Sequence, residues 1–272
     1  MSKKRILFIN QEIAPYLPAA EFSTLGRELA QGIQKRGFEV RTFMPKFGAV
    51  NERRNQLHEV IRLSGMNIII NDADHPLIIK VASMQPSRIQ VYFIDNDDYF
   101  QKLDSDEDVY GSNRPDNDER AIFFARGTME TVKKLKWDPA IIHCSGWMTA
   151  LGPLYLHRIC NDDPVYKLTK TVYSVLPGEV TGGLNENILA RMRADGIPAR
   201  DLKKFKGMTP DTKLLHKIAI EYSDAVIFYE ETPDPELLEI VQAREIPYIT
   251  GVELKERGLD AYSDLYNKLS PK

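Results

Sequence analysis

The chain has 272 residues, a formal net charge of −3 and an apolar fraction of 43%, the balance of a protein with a packed core. That charge excludes a general nucleic-acid binder, and no apolar run approaches the ~20 residues of a membrane span, so neither partner is expected. The two cysteines, Cys144 and Cys160, lack metal-type spacing and point to a reducing compartment, the cytoplasm.

Strand and helix patterns alternate along the chain. Arg5 to Asn10 is a short apolar strand, and Thr24 to Arg36 carries Leu25, Leu29 and Ile33 on one helical stripe. Phe38 to Phe43 is a second strand, entered through Gly37 at a helix end. Glu59 to Leu63, Met66 to Ile70 and Leu77 to Val81 are short strands between turn residues, a β-meander inserted at about residues 57–82. Arg88 to Ile94 is a further strand. After an acidic, turn-rich loop at 95–118 comes the clearest helix, Glu119 to Lys136, in which Ala121, Phe124, Ala125, Thr128, Met129 and Val132 form one face.

Pro139 to His143 is a strand, Trp147 to Cys160 a helix and Thr169 to Val175 a strand. A looser stretch, 176–210, leads to a helix at Thr212 to Tyr222, a strand at Asp224 to Tyr229 and a helix at Pro235 to Arg244. The tail, about residues 230–272, is the divergent part of the chain. This order predicts one α/β lobe over 1–272, built on a doubly wound, mainly parallel Rossmann-like sheet.

The junction between the first strand and first helix is where such folds hold anions, because free backbone N–H groups and the helix dipole converge there. Here the turn reads Leu17-Pro-Ala-Ala-Glu-Phe22, with no glycine, no lysine and a carboxylate. The Glu21 carboxylate is positioned in sequence to occupy the helix N-terminus itself.

Glu12-Ile-Ala-Pro-Tyr16 and Arg36-Gly-Phe-Glu-Val-Arg-Thr-Phe-Met-Pro-Lys-Phe-Gly48 resemble the amino-terminal lobe of bacterial glycogen synthases and plant starch synthases. Val91 to Asn96, Tyr110-Gly111, Pro115 to Arg120, Trp137 to His143, Trp147 and Thr149 to Leu151 extend the likeness to about Tyr229. The resemblance implies half of a two-lobed GT-B glycosyltransferase that moves glucose from ADP-glucose to an α-glucan. It also implies a Lys-Thr-Gly-Gly-Leu loop against the sugar nucleotide. On this chain the lysine falls on Pro18, the glycines on Ala20 and Glu21, and a downstream Asp on Thr24. The family's His-x-His-Asp-Trp appears as His143-Cys-Ser-Gly-Trp147, and its Thr-Ile-His-Asn as Ser174-Val-Leu-Pro177. The second lobe, with the basic residues and carboxylate that complete the cleft, has no counterpart in these residues.

A diphosphate needs donors and cations around it, and loss of one preorganised contact costs on the order of 3 kcal/mol in transition-state stabilisation. The expected function is therefore a synthase-like lobe, not catalytic by itself, that binds α-glucan, a sugar nucleotide or other metabolite, or a protein. The alternative is a synthase component whose second lobe is another polypeptide. A third reading has the exposed wall of the lobe covered by homodimerisation.

Six residues are candidate ligand contacts: Tyr16 and Glu21 at the first junction, His143 and Trp147 at the strand-to-helix junction, and Gly182 and Gly183 in Thr181-Gly-Gly-Leu184. His143 and Trp147 read as a sugar contact or as core residues, and the glycines as a relocated anion nest or a plain turn. Asp104-Ser-Asp-Glu-Asp108 alternates carboxylates like a calcium loop, but Val109 and Pro115 replace the glycine and glutamate that such a loop requires. No metal and no cofactor are expected. Cys144 beside His143 reads as an inert thiol, since neighbours on a strand face opposite ways.

Overall fold

The computed structural model describes residues 3–101 and 108–270, so residues 104–107 of the calcium-like segment lie outside the described residues. Ten strands are present: β1 (Arg5–Asn10), β2 (Glu39–Pro45), β3 (His58–Glu59), β4 (Met66–Ile70), β5 (Ala73–Met84), β6 (Ile89–Asp95), β7 (Ile141–Ser145), β8 (Lys170–Val175), β9 (Ala225–Phe228) and β10 (Tyr248–Ile249). They form a sheet in the order β10-β9-β8-β7-β1-β2-β6-β5-β3, with β4 paired to β5. From β10 to β6 every pairing is parallel, and β5 joins β6 antiparallel. The central strands are buried on both faces, which is why they read as continuous apolar runs.

Helices cover the sheet: α1 (Glu21–Lys35), α2 (Asn117–Leu135), α3 (Gly152–Tyr155), α4 (Ile188–Ala194), α5 (Ala199–Leu202), α6 (Thr212–Glu221), α7 (Pro235–Ala243), α8 (Gly251–Arg257) and α9 (Leu259–Leu269). The meander is antiparallel as expected, but the first of its strands is only two residues long, and Ile61 is 82% exposed. The expected helix from Trp147 to Cys160 is instead a 3-10 turn, the four-residue α3 and a π turn. Pro153 has no N–H to continue the ladder, and the chain at Gly152 lies so close to β7 that a Cβ there would meet Cys144 Sγ at 2.8 Å. The looser stretch contains α4 and α5, helices too short to persist without tertiary packing; α4 buries Ile188 and Met192.

Arg120 on α2 ties the loop before the helix to the core. Its guanidinium is 1% exposed and donates to Tyr99 O (2.8 Å), Tyr110 O (2.6 Å), Gly111 O (2.9 Å) and Asn117 Oδ1 (2.5 Å). Phe47 and Phe100 lie against it at 5.8 and 5.6 Å. Asp116, at the N-cap position of α2, makes no side-chain cap; its carboxylate is taken by Arg114 at 2.7 and 2.9 Å.

Replacing Arg120 by methionine keeps the stem and removes every donor from acceptors that are buried or half-buried. The expected loss is about 3 kcal/mol or more, read as a lower urea midpoint, and Arg120→Lys should recover only part because an ammonium cannot span the same fork.

Candidate functional site

Leaving β1, the chain builds β2 and β6 on one side and returns through β7, β8 and β9 on the other. The topological switch point therefore falls between β1 and β7, and the crevice outside their carboxyl ends is the default ligand position. Asn10, Glu12, Ser145, Trp147, Ser174 and Tyr262 line it, together with the start of α1. The cavity there measures about 40 Å³, room for a water or two.

Two backbone N–H groups at the start of α1 find acceptors within the chain. Ala20 N–H donates to Ser23 Oγ at 2.8 Å, and the Ser23 N–H donates to the Glu12 carboxylate. Glu12 also accepts from Tyr110 Oη at 2.7 Å and is 8% exposed; burial pushes its pKa up, while these two hydrogen bonds pull it down. Gly26 allows this approach, since a Cβ at that position would stand 2.8 Å from Glu12 O. The carboxylate that meets a helix amide is thus Glu12. Glu21, expected there, is exposed and accepts from Tyr229 Oη at 2.8 Å instead; burial pushes that phenol up to about 12.

The other candidates are dispersed. Tyr16 is 5% exposed and packs edge-on against Phe93 at 4.9 Å, with burial raising its pKa to about 12. Trp147 is buried in the crevice wall. His143 has no exposed surface: Nδ1 is 2.6 Å from Tyr266 Oη and Nε2 is 2.6 Å from Ser174 Oγ. Both nitrogens are engaged inside the protein, so neither reaches the crevice. Cys144 is equally buried, its thiol pushed well above the ordinary range. Gly182 N–H donates to Ser112 O (3.1 Å), Gly183 N–H to Val180 O (3.1 Å) and Leu184 N–H to Pro210 O (2.9 Å). Every one of those amides has a protein acceptor, and a Cβ on Gly182 would lie 2.3 Å from Asn113 O. The pair is a turn that locks two loops together, with no amide left to cradle an anion. Among the described residues, no group of His, Cys, Asp and Glu gathers as a metal site.

The element that sequence reasoning missed is the tail. α9 lays Ala261, Tyr262, Leu265 and Tyr266 into the core at helical spacing, and Tyr266 is fully buried against Phe8 and His143. That i, i+4 pattern was the available signal. Tyr262 seals the crevice from the side of the tail.

Burial lowers His143 from its ordinary 6.5 to about 3, and His216, 2.7 Å from Tyr173 Oη, to about 4. Both stay neutral when folded and take up a proton when unfolded below pH 6.5, so stability falls with pH from 6.5 toward those values. Acidification to pH 5 should cost on the order of 2 kcal/mol per histidine, measured by urea titration at each pH. Tyr266→Phe leaves a ring nitrogen of His143 without its partner and should cost about 1–3 kcal/mol at neutral pH.

Residues 5–246 match the family model described as the starch synthase catalytic domain. The glycogen synthase of Chlorobium luteolum is 31% identical over 233 residues, 78% of this chain and 47% of that protein. The glycogen synthase of Chlorobium limicola is 34% identical over 172 residues, 63% of this chain and 35% of that protein. The chain thus spans about half the length of the curated relatives it matches. Among solved structures, the catalytic domain of Starch Synthase IV from Arabidopsis thaliana, bound to ADP and acarbose, superposes with a TM-score of 0.67 at 18% identity. It covers 98% of this chain and 50% of that one, and its likeness is one of fold. With the family model matched along most of its length, this chain belongs to the starch synthase catalytic domain family.

Proposed function

We propose that this synthase-type lobe does not transfer glucose by itself and serves as a binding module for an α-glucan, a sugar metabolite or a protein. The observation that carries this reading is the first junction: the buried Glu12 carboxylate already meets the Ser23 amide at the start of α1, and the crevice beside it measures about 40 Å³. A nucleotide sugar occupies several hundred cubic ångströms, the usual size of a small-molecule pocket. Its phosphates would meet a buried carboxylate in place of a lysine. Like charges brought together in a poorly solvated site oppose binding.

The glycine turn at 181–184 supports the same reading, because its amides are spent on loop-to-loop hydrogen bonds. Pro18, Ala20 and Glu21 stand where the family's lysine and glycines would fall, so the first junction offers neither that cation nor that glycine loop.

Purified chain incubated with radiolabelled ADP-glucose and glycogen should incorporate no label above background; clear turnover would overturn the reading. Glu12→Gln removes the resident charge and should raise the melting temperature shift caused by ADP-glucose above the null shift of the unaltered chain. A ligand bound only to the folded state at a hundred times its Kd stabilises by about 2.7 kcal/mol, which a thermal scan resolves. Maltooligosaccharides scanned in parallel separate glucan binding from nucleotide binding.

A further inference from the structure

Outside the sealed crevice, a second hollow runs between α1 and the tail. It measures about 620 Å³, and Phe22, Leu25, Leu29, Pro177 and Tyr262 form the partition that it shares with the crevice. One wall is α1 and the other is made by Leu254 of α8 and Leu259 at the start of α9. The floor is apolar, while the rim carries Glu21 and Glu28 from α1 and Glu230 and Glu231 from the turn after β9. Lys255 is the one cation among the lining residues, and it is paired with Glu231. Among the described residues no cation pairs with Glu21, Glu28 or Glu230, and Glu21 is held at the mouth by Tyr229 Oη.

Four carboxylates against one ammonium leave this hollow with a net charge of about −3, focused by low-dielectric walls. Such a field repels phosphates and glucan-linked anions and attracts amines and guanidinium groups. The spacing of the charges selects among cations. Glu21 and Glu28 are seven residues apart on one helix, about 10 Å along its axis, with Leu25 between them. A single small amine meets one of these carboxylates; a chain segment with basic residues two turns apart meets both while placing apolar side chains on Leu25, Leu254 and Leu259. Two helical walls with an apolar floor are the geometry that receives an amphipathic helix.

We infer that the hollow between α1 and the α8–α9 tail is a docking groove for a short basic amphipathic helix of a protein partner. The inference deepens the binding-module reading and rests on it. Of the three ligand classes named there, it selects protein.

The test uses the full chain and a dye-labelled peptide of about 14 residues in which leucine and lysine follow the helical period. Fluorescence anisotropy near 0.15 M salt should give saturable one-to-one binding that weakens as salt rises. The same composition in scrambled order, and the helical peptide with glutamate in place of lysine, should bind at least about tenfold more weakly. Glu28→Lys with Glu230→Lys alters only exposed side chains, and should also weaken binding at least about tenfold with an unchanged melting temperature. Equal binding of the scrambled peptide, or no effect of the double substitution, overturns the proposal. So does displacement by maltoheptaose, which would make the groove a sugar site, or a dimer in light scattering that the double substitution dissociates, which would make its occupant a second copy. Glucose transfer by the purified chain would sink the binding-module reading while leaving the peptide result standing, so the two failures are separable.

Discussion

The N-terminus of α1 presents backbone N–H groups that seek acceptors, and in this chain the Ser23 N–H meets the Glu12 carboxylate. Much of the local architecture follows from that contact. Glu12 has to reach the helix from the end of β1, which requires Gly26 to let the two backbones approach, and it has to be screened from water, which Tyr110 accomplishes from the loop ahead of α2. Arg120 then holds that loop by its carbonyls at Tyr110 and Gly111. A chain of contacts therefore runs from the helix start through the loop to α2. An external anion at the same place would have to displace the carboxylate and loosen the loop with it.

The tail closes the other side. α9 brings Tyr266 to His143 and Tyr262 to the crevice, so a histidine in the middle of a central strand faces inward and becomes part of the anchor for the last helix. A fully buried imidazole with both nitrogens engaged serves packing and orientation, and the low pKa that burial imposes on it keeps it neutral. The same helix that fills the crevice creates the groove beside it. Both follow from one element, since Tyr262 of α9 lines the crevice and the groove alike.

Membership of the starch synthase catalytic domain family goes with a fold shared with half of a starch synthase catalytic domain. The sheet depends on apolar runs that remain intact in all the central strands. The family's polar loop letters sit at positions where substitution leaves those runs untouched, so they can change without loss of the fold.

The sequence by itself determined the alternation of strands and helices, the parallel core, the antiparallel meander and the lost donor-site letters. These are local: periodicity and turn residues act within a few positions, and the strands β1, β4, β7 and β8 appear within a residue or two of where their apolar runs predict them. Only the tertiary structure decided which carboxylate meets the helix, that His143 faces inward, that the Gly182-Gly183 amides are already spent, and that the tail is core. Glu12 meets Ser23, 11 residues on, and His143 meets Tyr266, 123 residues on, while Gly182 reaches back to Ser112 and Tyr266 packs on Phe8. Contacts at that range are set by how helices pack across the sheet; the i, i+4 pattern of the tail marks an apolar helix face but not the surface that the face meets.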